Sequence, residues 1–119
     1  MIVAGFGCRS TASEEALRAA LALHSKVRLT ALATLTHKEP LVAPLAHALG
    51  LPLILIDPRA IERVATMTVS QASLSAYRTG SVAEAVALVA TGPGARVLAR
   101  RAVSPDGQAT CAIAHGVPA

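Results

Sequence analysis

Three times along this chain a hydroxyl residue stands three positions ahead of a glutamate: Thr11 before Glu14, Thr36 before Glu39, and Ser81 before Glu84. This is the spacing of a capping box, in which the hydroxyl accepts a hydrogen bond from a free amide of the first helical turn. Short apolar runs precede the first two boxes, so strand and helix signals alternate. That alternation restricts the chain to α/β architectures, because a strand–helix–strand unit returns its second strand parallel to the first.

Apolar runs and breakers place the elements. Ile2–Phe6 reads as a buried first strand. A helix follows from about Ser13 to Ser25, capped by Thr11, with Leu17, Ala20, Leu21 and His24 along one face. Leu29–Leu35 is a second strand. Thr36, Glu39 and Pro40 open a second helix, which Gly50 closes after Leu49. Leu51–Ile56 is a third strand, and Asp57-Pro58 starts a short helix carrying Ile61, Val64 and Ala65. Thr66–Thr79 is rich in Ser and Thr without a clean period, and reads as a loop or a partly helical segment. The box at Ser81 opens a helix that ends at Gly92-Pro93-Gly94. Arg96–Val103 and Ala109–Ala114 read as strands joined by the turn Ser104-Pro105-Asp106-Gly107, which favours an antiparallel hairpin. The expectation is one domain over residues 1–119: an α/β three-layer sandwich, mainly parallel sheet with a C-terminal antiparallel hairpin.

Composition narrows what such a domain does. Hydrophobic residues are 53% and charged residues 15%, enough for a sizeable core of Ala, Leu, Val and Ile. With one Phe, one Tyr and no Trp, the base-stacking platforms of single-stranded nucleic-acid binders are missing. The net charge is +4, but the arginines are scattered and form no Lys/Arg tract, a spread that suits an acidic small molecule better than nucleic acid or a membrane. No apolar run approaches the ~20 residues of a membrane helix. Two cysteines, Cys8 and Cys111, make no disulfide framework, and no secretory leader is evident, so the expected location is cytoplasmic. The four histidines show no ligand spacing; neither a metal site nor a cofactor is expected.

The chemistry-bearing residues concentrate near the start. Gly5-Phe6-Gly7-Cys8-Arg9-Ser10-Thr11 joins the first strand to the first helix. Read as a glycine-bracketed turn, it offers free backbone amides and a guanidinium at a helix N-terminus, a setting that receives anions. It is no dinucleotide fingerprint, since Ser10 stands where a third glycine belongs. Cys8, beside Arg9 and a helix start, reads as an activated thiol or as a small residue packed at a tight turn. Lys38, with Thr34 or Thr36, stands where it can meet a ligand carboxylate; Thr36, Glu39, Ser81 and Glu84 are already explained as helix caps. No G-x-S-x-G elbow is present. In open α/β sheets ligands lie beyond the carboxyl ends of the strands, so the loops after Phe6, Leu35 and Ile56 are expected to share one rim.

Several motifs in order carry a resemblance: Gly5-Phe6-Gly7-Cys8-Arg9 with Ser13-Glu14-Glu15, Leu32-Ala33-Thr34 with Lys38, Leu49-Gly50-Leu51-Pro52-Leu53, Gly80-Ser81-Val82-Ala83-Glu84-Ala85, and Thr110-Cys111-Ala112-Ile113-Ala114. Over nearly its whole length the chain resembles the CobE/CbiG C-terminal domain family of cobalamin biosynthesis. The resemblance implies a role with precorrin-type tetrapyrrole intermediates, which bear many acetate and propionate arms, and contact with other corrin-pathway enzymes. It implies ligand-binding residues at Gly5, Gly7, Cys8, Arg9, Thr34, Lys38, Ser81 and Glu84, with Ser70 standing for a family serine in the segment that matches least. Two-part CbiG proteins resemble a lactone-opening hydrolase, which leaves hydrolysis of a lactone or C–C bond as the alternative to binding. No catalytic residue is assigned.

Overall fold

A computed structural model describes residues 1–24 and 27–116. The strands are β1 (Ile2–Cys8), β2 (Ala31–Leu35), β3 (Leu53–Ile56), β4 (Arg96–Val103) and β5 (Ala109–His115), in the spatial order β3-β2-β1-β5-β4. β1 pairs parallel with β2, and β2 with β3; β5 runs antiparallel to both β1 and β4. The helices are α1 (Glu14–Ala22), α2 (Glu39–Leu49), α3 (Gln71–Tyr77) and α4 (Val82–Thr91). Single 3₁₀ turns cover Thr36–Lys38 and Pro58–Ile61. The expected α/β sandwich with its antiparallel hairpin is what the chain forms, although the sheet is mixed, with two parallel and two antiparallel pairings.

Strand alternation divides the core into two layers. Ala4 and Phe6 of β1, Leu32 of β2 and Cys111 and Ile113 of β5 meet Ala16, Leu17 and Ala20 of α1 and Val42 and Leu45 of α2. On the other face Val3, Ala31, Ala33 and Leu35 pack against Ala85 and Val86 of α4. Gly5 lies on that second face because the helix comes very close there: a Cβ at Gly5 would stand 2.7 Å from the Ala87 amide nitrogen and nearer still to the Ala83 carbonyl. Only hydrogen fits.

Four local expectations are corrected. Thr11 does not cap α1; Ser13 does, accepting from Ala16 N at 3.1 Å, while Thr11 donates to Gln108 Oε1. Ser25, expected as the end of this helix, lies outside the described residues; the helix itself stops at Ala22. Thr36 makes no side-chain cap either, because the chain passes through a 3₁₀ turn before α2 begins. Most consequential, β1 runs to Cys8 rather than stopping at Phe6. β5 claims the extra length through the pairs Gly7↔Thr110 and Cys8↔Ala109, and Arg9 N continues the pairing by donating to Gln108 O at 2.9 Å. The glycine segment is therefore strand, not a turn of free amides. Among the described residues no helix is long and apolar enough to cross a membrane.

Candidate functional site

The carboxyl ends of β1, β2 and β3 share one rim because these strands are parallel, and the β4–β5 turn reaches the same rim because β5 starts opposite Cys8. A cleft of about 280 Å³ opens there. Gly7, Cys8 and Arg9 form one wall, Ser70, Ser73 and Tyr77 of the α3 segment a second, and Arg101, Gln108 and Thr110 of the hairpin a third, with Ser81 and Val82 at the base. A smaller, more enclosed compartment of about 70 Å³ adjoins it, lined by Phe6, Leu35 and Lys38 together with Gly7, Cys8, Tyr77 and Val82, which border both.

The expected residues divide cleanly. Gly7, Cys8, Arg9, Ser70 and Ser81 line the cleft, and Lys38 lines the inner compartment. Gly5 serves helix–sheet packing. Thr34 is fully buried and its hydroxyl donates to Phe6 O at 3.0 Å, pinning β2 to the end of β1. Ser70 caps α3 by accepting from Ser73 N, and Ser81 caps α4 by accepting from Glu84 N. Both residues line the cleft, and accepting a cap bond leaves each hydroxyl its proton.

Glu84 is fully buried and faces away from the cleft, toward the segment ahead of α3. Its Oε1 accepts from Met67 N at 2.7 Å and Thr68 N at 3.0 Å; its Oε2 accepts from Thr68 Oγ1 at 2.7 Å and Arg101 N at 2.9 Å. The Arg101 amide is free for this because β4 slips register between Ala99 and Ala102. Burial pushes the carboxyl pKa up, but the donors from Arg101, Thr68 and Met67 outweigh it and hold the group below the ordinary glutamate value. One carboxylate thus ties together two walls of the cleft. Gly80 makes room for the arrangement: a Cβ there would collide with the Thr66 hydroxyl and stand 2.6 Å from Thr68 O.

Among the described residues the ion pair present is Arg18–Glu14, remote from the rim. Arg9, Lys38 and Arg101 therefore bring uncompensated positive charge to the two compartments, and no lining residue is acidic. Burial raises the Cys8 thiol pKa and the nearby Lys38 ammonium only partly offsets it, so the thiol stays protonated near neutrality. Cys111, buried under α1, is pushed up by burial alone. Among the described residues no histidine or carboxylate lines either compartment, and none groups with others as a metal site would require.

Sequence reasoning missed Tyr77, Gln108, Thr110 and the place of Arg101. Tyr77 is the chain's one tyrosine, and its hydroxyl shares a 3.2 Å hydrogen bond with His37 Nε2, the two rings stacked at 6.2 Å. The available signal was the rarity of aromatics itself.

A family model described as "Cobalamin synthesis G C-terminus" matches residues 2–114. The chain belongs to this family. Among solved structures, CobE from the cobalamin (vitamin B12) biosynthetic pathway is 30% identical with a TM-score of 0.81, over 98% of this chain and 91% of that one. The cobalamin biosynthesis protein chiG of Agrobacterium tumefaciens str. C58 is 41% identical with a TM-score of 0.75, over 99% and 100%. A protein described as a cobalamin biosynthesis protein G homologue of Sulfolobus solfataricus shares the fold at 20% identity and a TM-score of 0.71; this family domain covers 36% of that longer chain. No curated protein matches the chain. Membership of the cobalamin synthesis G C-terminal family makes this a cobalamin biosynthesis protein.

Proposed function

We propose that this protein binds a precorrin-type tetrapyrrole intermediate of cobalamin biosynthesis at the rim cleft, gripping the carboxylate arms of the macrocycle, and acts in the cytoplasm alongside other corrin-pathway enzymes. The observation that carries this reading is the charge of the site: Arg9, Lys38 and Arg101 stand around two adjoining compartments that, among the described residues, no acidic side chain lines. The Ser70 and Ser81 hydroxyls and the N-terminus of α4 at Ser81 add neutral donors and a favourable dipole for an anion. Apolar wall atoms of Ala72, Ala76 and Val82 offer contact to the ring.

Side chains rather than strand amides supply the grip, because β1 stays paired with β5 as far as Cys8 and the Arg9 amide donates to Gln108 O. Hydrolysis of a lactone would need an activated nucleophile. The Cys8 thiol is held protonated, and neither compartment presents a base to it among the described residues. Binding is the better-supported reading.

The experiment is to mix purified protein with each precorrin in turn and ask which co-elutes as a coloured complex. A charge-assisted hydrogen bond contributes ~1.5–3 kcal/mol, so Arg9→Ala is expected to weaken binding by about one to two decades. Unchanged affinity in that variant removes Arg9 from the site. Catalytic conversion of an intermediate by the protein alone would replace binding with the hydrolase reading.

A further inference from the structure

We infer that the inner compartment is the specificity subsite of the cleft: it admits one short carboxylate arm, methylene against Phe6, Leu35 and Val82 and carboxylate at Lys38, with Tyr77 as the wall that limits arm length. The identity of the whole ligand rests on the tetrapyrrole reading above; the subsite itself rests on its own geometry.

Size comes first. About 70 Å³ is several times the ~10–15 Å³ that one water needs, room for a few non-hydrogen atoms and far too little for a ring. Whatever enters is a pendant group, with its parent held outside. The lining then sets the chemistry. Phe6 and Leu35 are buried and apolar, so the stem that passes them must be apolar too. Lys38 is the charged lining residue of this compartment, half-buried on the turn after β2. Cys8 lines the same compartment, so the one cation of this lining, among the described residues, shares it with the thiol. An apolar stem ending at a cation describes a short carboxylate.

Two residues control passage from the outer cleft. Gly7 borders both compartments, and a Cβ there would stand 2.8 Å from Thr110 Oγ1 and 3.4 Å from Val82 Cβ, narrowing the shared mouth. Tyr77 borders both from the opposite side. Its hydroxyl shares a hydrogen bond with His37 and its ring stacks with the imidazole, two contacts that favour this position of the wall. An arm longer than the compartment must displace that pair.

The probes are uroporphyrin, which carries acetate as well as propionate arms, and coproporphyrin, in which methyls replace the acetates. Dissociation constants are measured for both on the wild type and on Arg9→Gln, Lys38→Gln and Tyr77→Ala. The wild type is expected to prefer uroporphyrin by about ten-fold or more, the scale of one charge-assisted hydrogen bond. Arg9→Gln weakens both porphyrins and keeps the preference; Lys38→Gln and Tyr77→Ala collapse it. Because the chain has a single tyrosine, ¹³C-tyrosine labelling yields one set of ring resonances. Acetate alone is expected to shift them in the wild type and not in Lys38→Gln. A preference that survives Lys38→Gln, or tyrosine signals indifferent to acetate, overturns the subsite. If neither porphyrin binds while acetate still shifts the ring through Lys38, the tetrapyrrole reading falls and the subsite stands.

Discussion

Replacing Glu84 tests the architecture of the cleft more sharply than any other change. The side chain is fully buried and takes four hydrogen bonds, from Met67 N, Thr68 N, Thr68 Oγ1 and Arg101 N. A buried donor left without a partner costs ~1–3 kcal/mol. In Glu84→Ala three backbone amides lose their acceptor at once, and water entering the space recovers part of the loss, so the expected cost is about 3–5 kcal/mol. That is a large share of the ~5–15 kcal/mol that holds a domain together. At roughly 3–5 °C per kcal/mol for a chain of this length, Tm falls by about 10–25 °C. Glu84→Gln is milder. Its carbonyl still accepts from Met67 N and Thr68 N, but its NH₂ now faces the Arg101 amide, and the expected cost is about 1–3 kcal/mol. The charge gives this prediction a pH signature. A carboxyl whose folded pKa lies below its unfolded value, near 4.5, contributes its full stability above that pH and loses it as pH falls through the folded pKa. The gap between wild type and Glu84→Gln should therefore be widest at neutral pH and shrink below about pH 4.5. Urea unfolding followed by far-ultraviolet circular dichroism at several pH values measures it. A gap that stays constant from neutral to acid pH, or a Tm for Glu84→Ala within a degree or two of wild type, refutes the account of Glu84 as an ionised clamp.

Gly5→Ala should cost more than ordinary overpacking, ~1–3 kcal/mol, because the new methyl meets the backbone of α4 at Ala83 and Ala87, which has no rotamer to move; thermal melts that match wild type would show that the helix simply lifts. Ser13→Ala should destabilise by ~1 kcal/mol as a lost N-cap, whereas Thr11→Ala, which disturbs an exposed contact with Gln108, should change little; equal effects in urea melts would return the cap to Thr11. In thiol titration at pH 8, Cys8 should react slowly and Cys111 only on unfolding; Lys38→Gln should slow Cys8 further, since it removes the positive charge that favours the thiolate. A faster Cys8 in that variant would contradict the electrostatics.

Much of the fold is legible because its signals are local. Apolar runs and turn formers locate each strand within a few residues, and Gly50 and Gly92 mark helix ends where expected. The capping boxes are less faithful. A hydroxyl and a glutamate three residues apart look alike whether the glutamate reaches back to its own helix or outward, and Glu84 reaches outward to Met67, Thr68 and Arg101. α3 escapes a periodicity test because its seven residues bury little besides Ser73. The end of β1 is hidden for a different reason: strand pairing with residues a hundred positions later, not local propensity, carries β1 through Gly7 and Cys8. The site follows the same division. Arg9 and Lys38 are visible because rims follow strands; Tyr77 and Arg101 are not, because a folded-back segment and a register slip deliver them.

The interior place of β5, between β1 and β4, sets a timetable for synthesis. Until residues 109–115 emerge from the ribosome, β1 keeps one long edge of unpaired amides and carbonyls open beside an apolar face. A nascent chain released before Ala109 would keep that border open, making truncated products prone to aggregate.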